Sequence, residues 1–113
     1  MAAVYVSNLV VNTGTTFTQT FSLENSDSNS ILNLSGYTVS AQMRKHAGSS
    51  SYTTFTSSVL NSTAGTIKVG LGTTTTASLK PGRYVYDVLI TDDAGVITRV
   101  VEGSVLVREG VTR

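Results

Sequence analysis

Apolar and polar residues alternate with a period of two along most of this chain, the pattern of strands with one face buried. Over residues 17–23, Phe17, Phe21 and Leu23 fall on one side and Thr18, Thr20 and Ser22 on the other. Gln19 interrupts the apolar row and is placed at its rim. Residues 37–45 set Tyr37, Val39, Ala41 and Met43 against Thr38, Ser40, Gln42 and Arg44. Residues 66–71 put Ile67, Val69 and Leu71 on one face, and residues 84–91 do the same with Tyr84, Tyr86, Val88 and Ile90. Further strands are expected over 4–11, 31–34, 52–60 and 96–107, with Gly103 read as a bulge. No stretch carries a helical period; residues 73–79 are expected to cross between sheets as a loop with one helical turn, packing Leu79 inward.

Turn chemistry punctuates these runs at regular spacing. The segments ENSDSNS (24–30), Ser35-Gly36, 47–51, 61–65 and DDAG (92–95) fall between strands. About seven short strands with such spacing predict an all-β fold, an antiparallel β-sandwich, with a small barrel as the alternative. The 113 residues make one domain, spanning 1–113, and no linker or internal repeat divides them.

Composition narrows the partners. Hydrophobic residues make up 40% of the chain and charged ones 13%, which excludes disorder. The net charge is +1 and only Arg44 and Lys45 adjoin among the basic residues. No concentrated basic face exists to displace counterions, so no nucleic-acid partner is expected. There are no cysteines, which excludes a disulfide framework and thiolate metal sites and agrees with assembly in a reducing cytosol. Residues 1–11 lack the basic and apolar regions of a secretory signal, and no segment approaches the ~20 apolar residues of a membrane span, so a soluble protein without a membrane partner is expected.

The chain is poor in candidate chemistry. His46 is its one histidine, and no Gly-x-Ser-x-Gly elbow supplies a nucleophile for it to serve. Gly70-Leu71-Gly72 lacks the lysine and the following helix of a phosphate loop. Asp27, Asp92 and Asp93 would form a loop-end calcium site only if their loops met at one end of the sandwich. Asp87 lies on the opposite parity from Tyr84 and Tyr86, so it is expected to face solvent or cap a turn. Tyr52 and Phe55 are the one pair of rings near serine- and threonine-rich loops, and they are the candidate stacking platform for a sugar. No enzyme, cofactor or metal is expected.

Residues 79–86, LKPGRYVY, resemble the corner that precedes a late strand of immunoglobulin-like sandwiches. Pro81 and Gly82 would set the turn, and the Tyr84 hydroxyl would bond upstream backbone. Tyr86 takes the place where antibody domains carry a cysteine, and its ring would fill the space between sheets. The same chain holds TFTQTFSL (16–23), LNLSGYTVSAQMR (32–44), Gly65-Thr66-Ile67, the 79–88 segment, Gly95 and Gly103-Ser104-Val105. Together, over roughly residues 15–108, these resemble small phage virion proteins related to the N-terminal immunoglobulin-like domain of the baseplate upper protein family.

The resemblance implies an immunoglobulin-like sandwich that acts as a structural module of a virion by protein–protein docking. Its partners would be other virion proteins, and it would form a homo-oligomer in the particle. With no coiled coil or receptor-binding domain before Arg113, the expectation extends from a baseplate to a tail, neck or head-decoration role. The family brings no catalytic residues. The segment 52–58, YTTFTSS, lacks the Lys or Pro that usually blunts an edge strand; Tyr52 and Phe55 mark it as a candidate partner edge. The alternative function is a carbohydrate-binding or adhesion module.

Overall fold

The computed structural model describes residues 5–24 and 33–111. These form nine strands and one short helix: β1 (Tyr5–Val6), β2 (Leu9–Asn12), β3 (Phe17–Ser22), β4 (Thr38–Arg44), β5 (Tyr52–Thr54), β6 (Thr56–Asn61), β7 (Thr66–Leu71), α1 (Thr73–Ser78), β8 (Gly82–Thr91) and β9 (Ile97–Arg108). One sheet runs β1-β9-β8-β4-β5, with β2 also on β9, and the other runs β3-β7-β6. The fold is an all-β sandwich. In the large sheet β8 lies between its hairpin partner β9 and β4, and in the small sheet β7 lies between β3 and β6.

The alternation seen in the sequence sets the two inner faces. Phe21 and Leu23 join Ile67, Val69 and Leu71 from the small sheet; Ala41, Met43, Tyr86, Val88, Ile90, Val101 and Val105 come from the large one. Thr91 and Ile97 pair across the 92–95 turn. There the Asp92 carboxylate accepts from the Ala94 and Val96 amides, both at 2.9 Å. Within the expected 73–79 crossing, Thr73–Ser78 form the helix α1, and the buried Thr76 donates its hydroxyl to the Thr15 carbonyl at 2.7 Å. Leu79 packs against the core.

Four expectations are corrected. The sandwich is not wholly antiparallel, because β1 and β2 run parallel to β9. Residues 52–60 are not one strand: β5 pairs with β4, β6 pairs with β7, and Phe55 carries the chain from one sheet to the other. The bulge of β9 lies not at Gly103 but where the register slips between Val88 and Leu89. That slip leaves Val100 and Val101 both fully buried. Finally, residues 33–34 of the expected 31–34 strand form no strand; residues 31 and 32 lie outside the described ones. The strand count rises from about seven to nine because two expected runs, 4–11 and 52–60, are each interrupted.

Gly103 has a different task from a bulge. A Cβ built on it would lie 2.1 Å from the Ser7 carbonyl oxygen, at the break between β1 and β2. Only a residue without a side chain lets that carbonyl approach. The neighbouring Asn8 side chain accepts from the Ser104 amide at 3.2 Å and hydroxyl at 3.1 Å, and the Ser7 amide donates to Glu102 at 2.9 Å. The clash is with backbone, so it cannot be relieved by a rotamer change. Gly103→Ala is therefore expected to destabilise the domain by at least the ~1–3 kcal/mol of an overpacked core. Chemical denaturation measures this, and a loss under ~0.5 kcal/mol would show that the Ser7 segment moves aside freely.

Candidate functional site

The corner at the start of β8 is built as follows. Pro81 leads into Gly82 at φ 146°, a conformation that favours glycine, and the Lys45 ammonium lies 2.8 Å from where a Cβ would stand. The Tyr84 hydroxyl donates to the Lys80 carbonyl, four residues upstream, at 2.7 Å. Lys45 also sits 4.9 Å above the Tyr84 ring, so the same cation lies against both the turn and the aromatic face. Tyr84 is half-buried, while Tyr86 is 4% exposed.

Tyr86 reaches across to the N-terminal strands. Its hydroxyl donates to the Ser7 carbonyl at 2.6 Å, and Gly103 is its direct partner in the β8–β9 register. Its ring packs edge-on against Phe55 with centroids 6.1 Å apart, and Phe55 in turn lies 6.2 Å from Phe17 of β3. Three rings thus run through the interior from the small sheet to the large one. Burial pushes the Tyr86 phenol above its ordinary value of 10.0.

Phe55 is the main correction among the candidate site residues. It is 2% exposed, inside the core, whereas Tyr52 is 56% exposed. The two therefore form neither a sugar platform nor a shared edge. Tyr52 instead stacks under the Arg44 guanidinium, 4.7 Å from ring centroid to Cζ. The sequence held the signal: Tyr52 and Phe55 lie three residues apart, on opposite parities of any extended strand.

The charged groups are dispersed. Asp87 pairs with Arg99 at 3.2 Å on the exposed face of the large sheet, a partner that sequence reading did not supply. An open depression of about 520 Å³ lies there, with Gln42, Arg44, Asp87, Arg99 and Glu102 around Val6 and Val85. Arg44 is held by the Gln42 side chain at 3.2 Å and the Ser49 carbonyl. His46 is exposed, close to Gly48. Asp92 is engaged in its turn and Asp93 lies beside Gly36; Asp27 falls outside the described residues. Among the described residues, no three His, Cys, Asp or Glu side chains gather as metal ligands.

The sheet edges are the other notable feature. The outer strands are β1, β2 and β5 of the large sheet and β3 and β6 of the small one. Their sequences are YV, LVVN, YTT, FTQTFS and TSSVLN, without one charged residue or proline. Every charge that lies within a strand is on a central one: Arg44 on β4, Lys68 on β7, Arg83 and Asp87 on β8, and Arg99, Glu102 and Arg108 on β9. Soluble sandwiches commonly do the reverse, placing Lys or Pro on edges to prevent strand addition.

No protein-family model matches the chain, and no curated protein matches it. Among solved structures it is similar to a Listeria monocytogenes internalin-like protein, at 14% identity and a TM-score of 0.44 over 95% of this chain. The chain spans 28% of the length of that protein.

Two predictions come from the aromatic row. Phe55→Ala should cost about 3–5 kcal/mol, as for a buried core phenylalanine, while Tyr52→Ala should stay within about 0.5 kcal/mol. Urea denaturation of both variants checks this, and equal losses would contradict the burial difference. Tyr86→Phe should cost about 1–3 kcal/mol by leaving the Ser7 carbonyl without its donor. It should also change the alkaline limb. Because the folded-state pKa is raised, Tyr86 contributes fully below the unfolded value, and its contribution falls as pH rises above about 10. The variant's stability should therefore decline less steeply there than the wild type's; parallel declines would mean that Tyr86 ionises equally in both states.

Proposed function

We propose that this protein is a non-enzymatic structural module of a bacteriophage virion, in the tail, baseplate, neck or head decoration, that works by docking to neighbouring virion proteins. The observation that carries the proposal is the placement of charge. Uncharged outer strands around charged central ones are suited to accept strands or flat surfaces from partners, since main-chain groups on such edges meet no electrostatic barrier. The resemblance of its motifs to those of the immunoglobulin-like domains of baseplate upper proteins supports the same reading. On this reading the chain is assembled in the bacterial cytoplasm and resides in the particle.

The carbohydrate-binding alternative rested on paired rings at the surface. With Phe55 in the core, Tyr52 stands alone, and it is already stacked against Arg44. That reading therefore has less to support it than its sequence suggests.

The test is immunogold electron microscopy of gradient-purified particles released by cells that carry the gene. Gold at one fixed position on each particle is the expected outcome. Protein found only in the soluble fraction, with unlabelled particles, would overturn the proposal.

A further inference from the structure

Among the described residues, strand β3 is paired on one side alone, with β7. Its register with β7 runs without a break from Phe17–Leu71 to Ser22–Thr66. The Leu23 amide, one residue beyond, donates to Gly65 at 2.8 Å. By the alternation of an antiparallel ladder, residues 17, 19 and 21 therefore turn their backbone groups to β7, and Thr18, Thr20 and Ser22 turn theirs away from it. Among the described residues no strand pairs with that outward side, because β1 and β2 pair with β9 instead. The three outward residues are exposed. One of their acceptors is met only locally: the Gln19 side-chain amide donates to the Thr20 carbonyl at 3.1 Å.

The sequence of this edge reads the same in both directions. Residues 17–21 are FTQTF, centred on Gln19. We propose that β3 is a self-association edge, pairing antiparallel with β3 of a second copy of this chain about a two-fold axis at Gln19. In that register Phe17 faces the second copy's Phe21, Thr18 faces its Thr20, and the two Gln19 residues meet on the axis. Residues 18 and 20 are those whose backbone groups point outward, so they form the hydrogen-bonded pairs of the new ladder, and the second copy's Thr18 amide replaces Gln19 at the Thr20 carbonyl. The palindrome matches aromatic to aromatic and threonine to threonine, which are favourable cross-strand pairs, and no charge meets its like. Half-buried Phe17 gains cover from Phe21 of the second copy. The interface is isologous and closes as a dimer, joining two small sheets into one. It is short, so association should be weak and concentration-dependent. The inference does not depend on the virion reading; the dimer stands or falls on the isolated chain.

The experiment is sedimentation equilibrium of the full chain across a concentration series, with three proteins. The wild type should pass from monomer toward twice its mass as concentration rises. Thr18→Glu combined with Thr20→Glu places carboxylates opposite each other across the axis, and should weaken association at least tenfold. Within its own chain position 20 lies opposite Lys68, so the fold gains a partner there; an unchanged circular dichroism spectrum and melting temperature verify it. Mixing this protein with Thr18→Lys combined with Thr20→Lys should restore a dimer, now between unlike copies. Hydrogen exchange should show the Thr18 and Thr20 amides gaining protection with concentration, and the Ser57 and Val59 amides of β6 staying unchanged. A wild type that remains monomeric throughout, an association that the paired glutamates leave intact, a mixture that fails to associate, or protection gained on β6 instead would each overturn the proposal.

Discussion

The contact on which the rest of the architecture depends is the meeting of the Tyr86 hydroxyl, the Ser7 carbonyl and the bare face of Gly103. Three separate elements supply its parts: a central strand, the N-terminal run and the last strand. The tyrosine holds the carbonyl, the glycine makes room for it, and Asn8 then ties the same break to Ser104. A buried phenol needs a partner, and a carbonyl turned inward at a strand break needs a donor, so each satisfies the other. The consequence is topological. An N-terminal run anchored to β9 on both sides of the break cannot also cover β3. Among the described residues, the outward side of β3 therefore has no strand beside it, because β1 and β2 are engaged on β9.

A second constraint links the two sheets through the chain itself. Phe55 is the single residue between β5 and β6, and it fills the core where the backbone changes sheets. A crossing this short leaves no room for a loop, so the residue at the crossing is buried by geometry alone. An aromatic ring there can span to both neighbours, Phe17 and Tyr86, which makes the crossing part of the core.

Parity was readable in the sequence where the chain stays in one sheet. The faces of β3, β4, β7 and β8 follow from their alternation, and the Pro-Gly-x-Tyr string marks the start of β8. What escaped is whatever leaves parity intact or acts over long range. Residues 53, 55, 57 and 59 remain the more buried positions on both sides of Phe55, so a change of sheet leaves no trace in a period-two pattern. The bulge in β9 shifted the other way: two adjacent valines, 100 and 101, are the only local hint that both are buried. The parallel pairing of β1 and β2 with β9 joins residues separated by almost the whole chain. Its local sign was the polar Ser7-Asn8 pair inside an apolar run, and nothing in that pair names Gly103 as its destination. The Arg99 partner of Asp87 was hidden for the same reason, since the β9 bulge sets which residue lies beside it.

The distribution of charge then takes on a meaning that composition alone lacks. A chain with 13% charged residues has few to place, and here none that fall within strands lie on an outer one. On a central strand an outward charge meets water from the sheet face and leaves the ladder untouched, as Asp87 and Arg99 do. On an outer strand the same charge would also repel or desolvate against an incoming strand, which is why edges usually carry it. A protein evolved only to remain a soluble monomer gains nothing from withholding charge from its edges, and it incurs a hazard of unwanted pairing. Uncharged edges on both sheets therefore leave strand addition without an electrostatic barrier. The regular, palindromic β3 is the longest unbroken one among them, and the bulge before Asn61 interrupts its counterpart β6. A bulged edge resists continuous pairing with another strand. The two edges of the small sheet are thus unequal, and strand addition favours the β3 side.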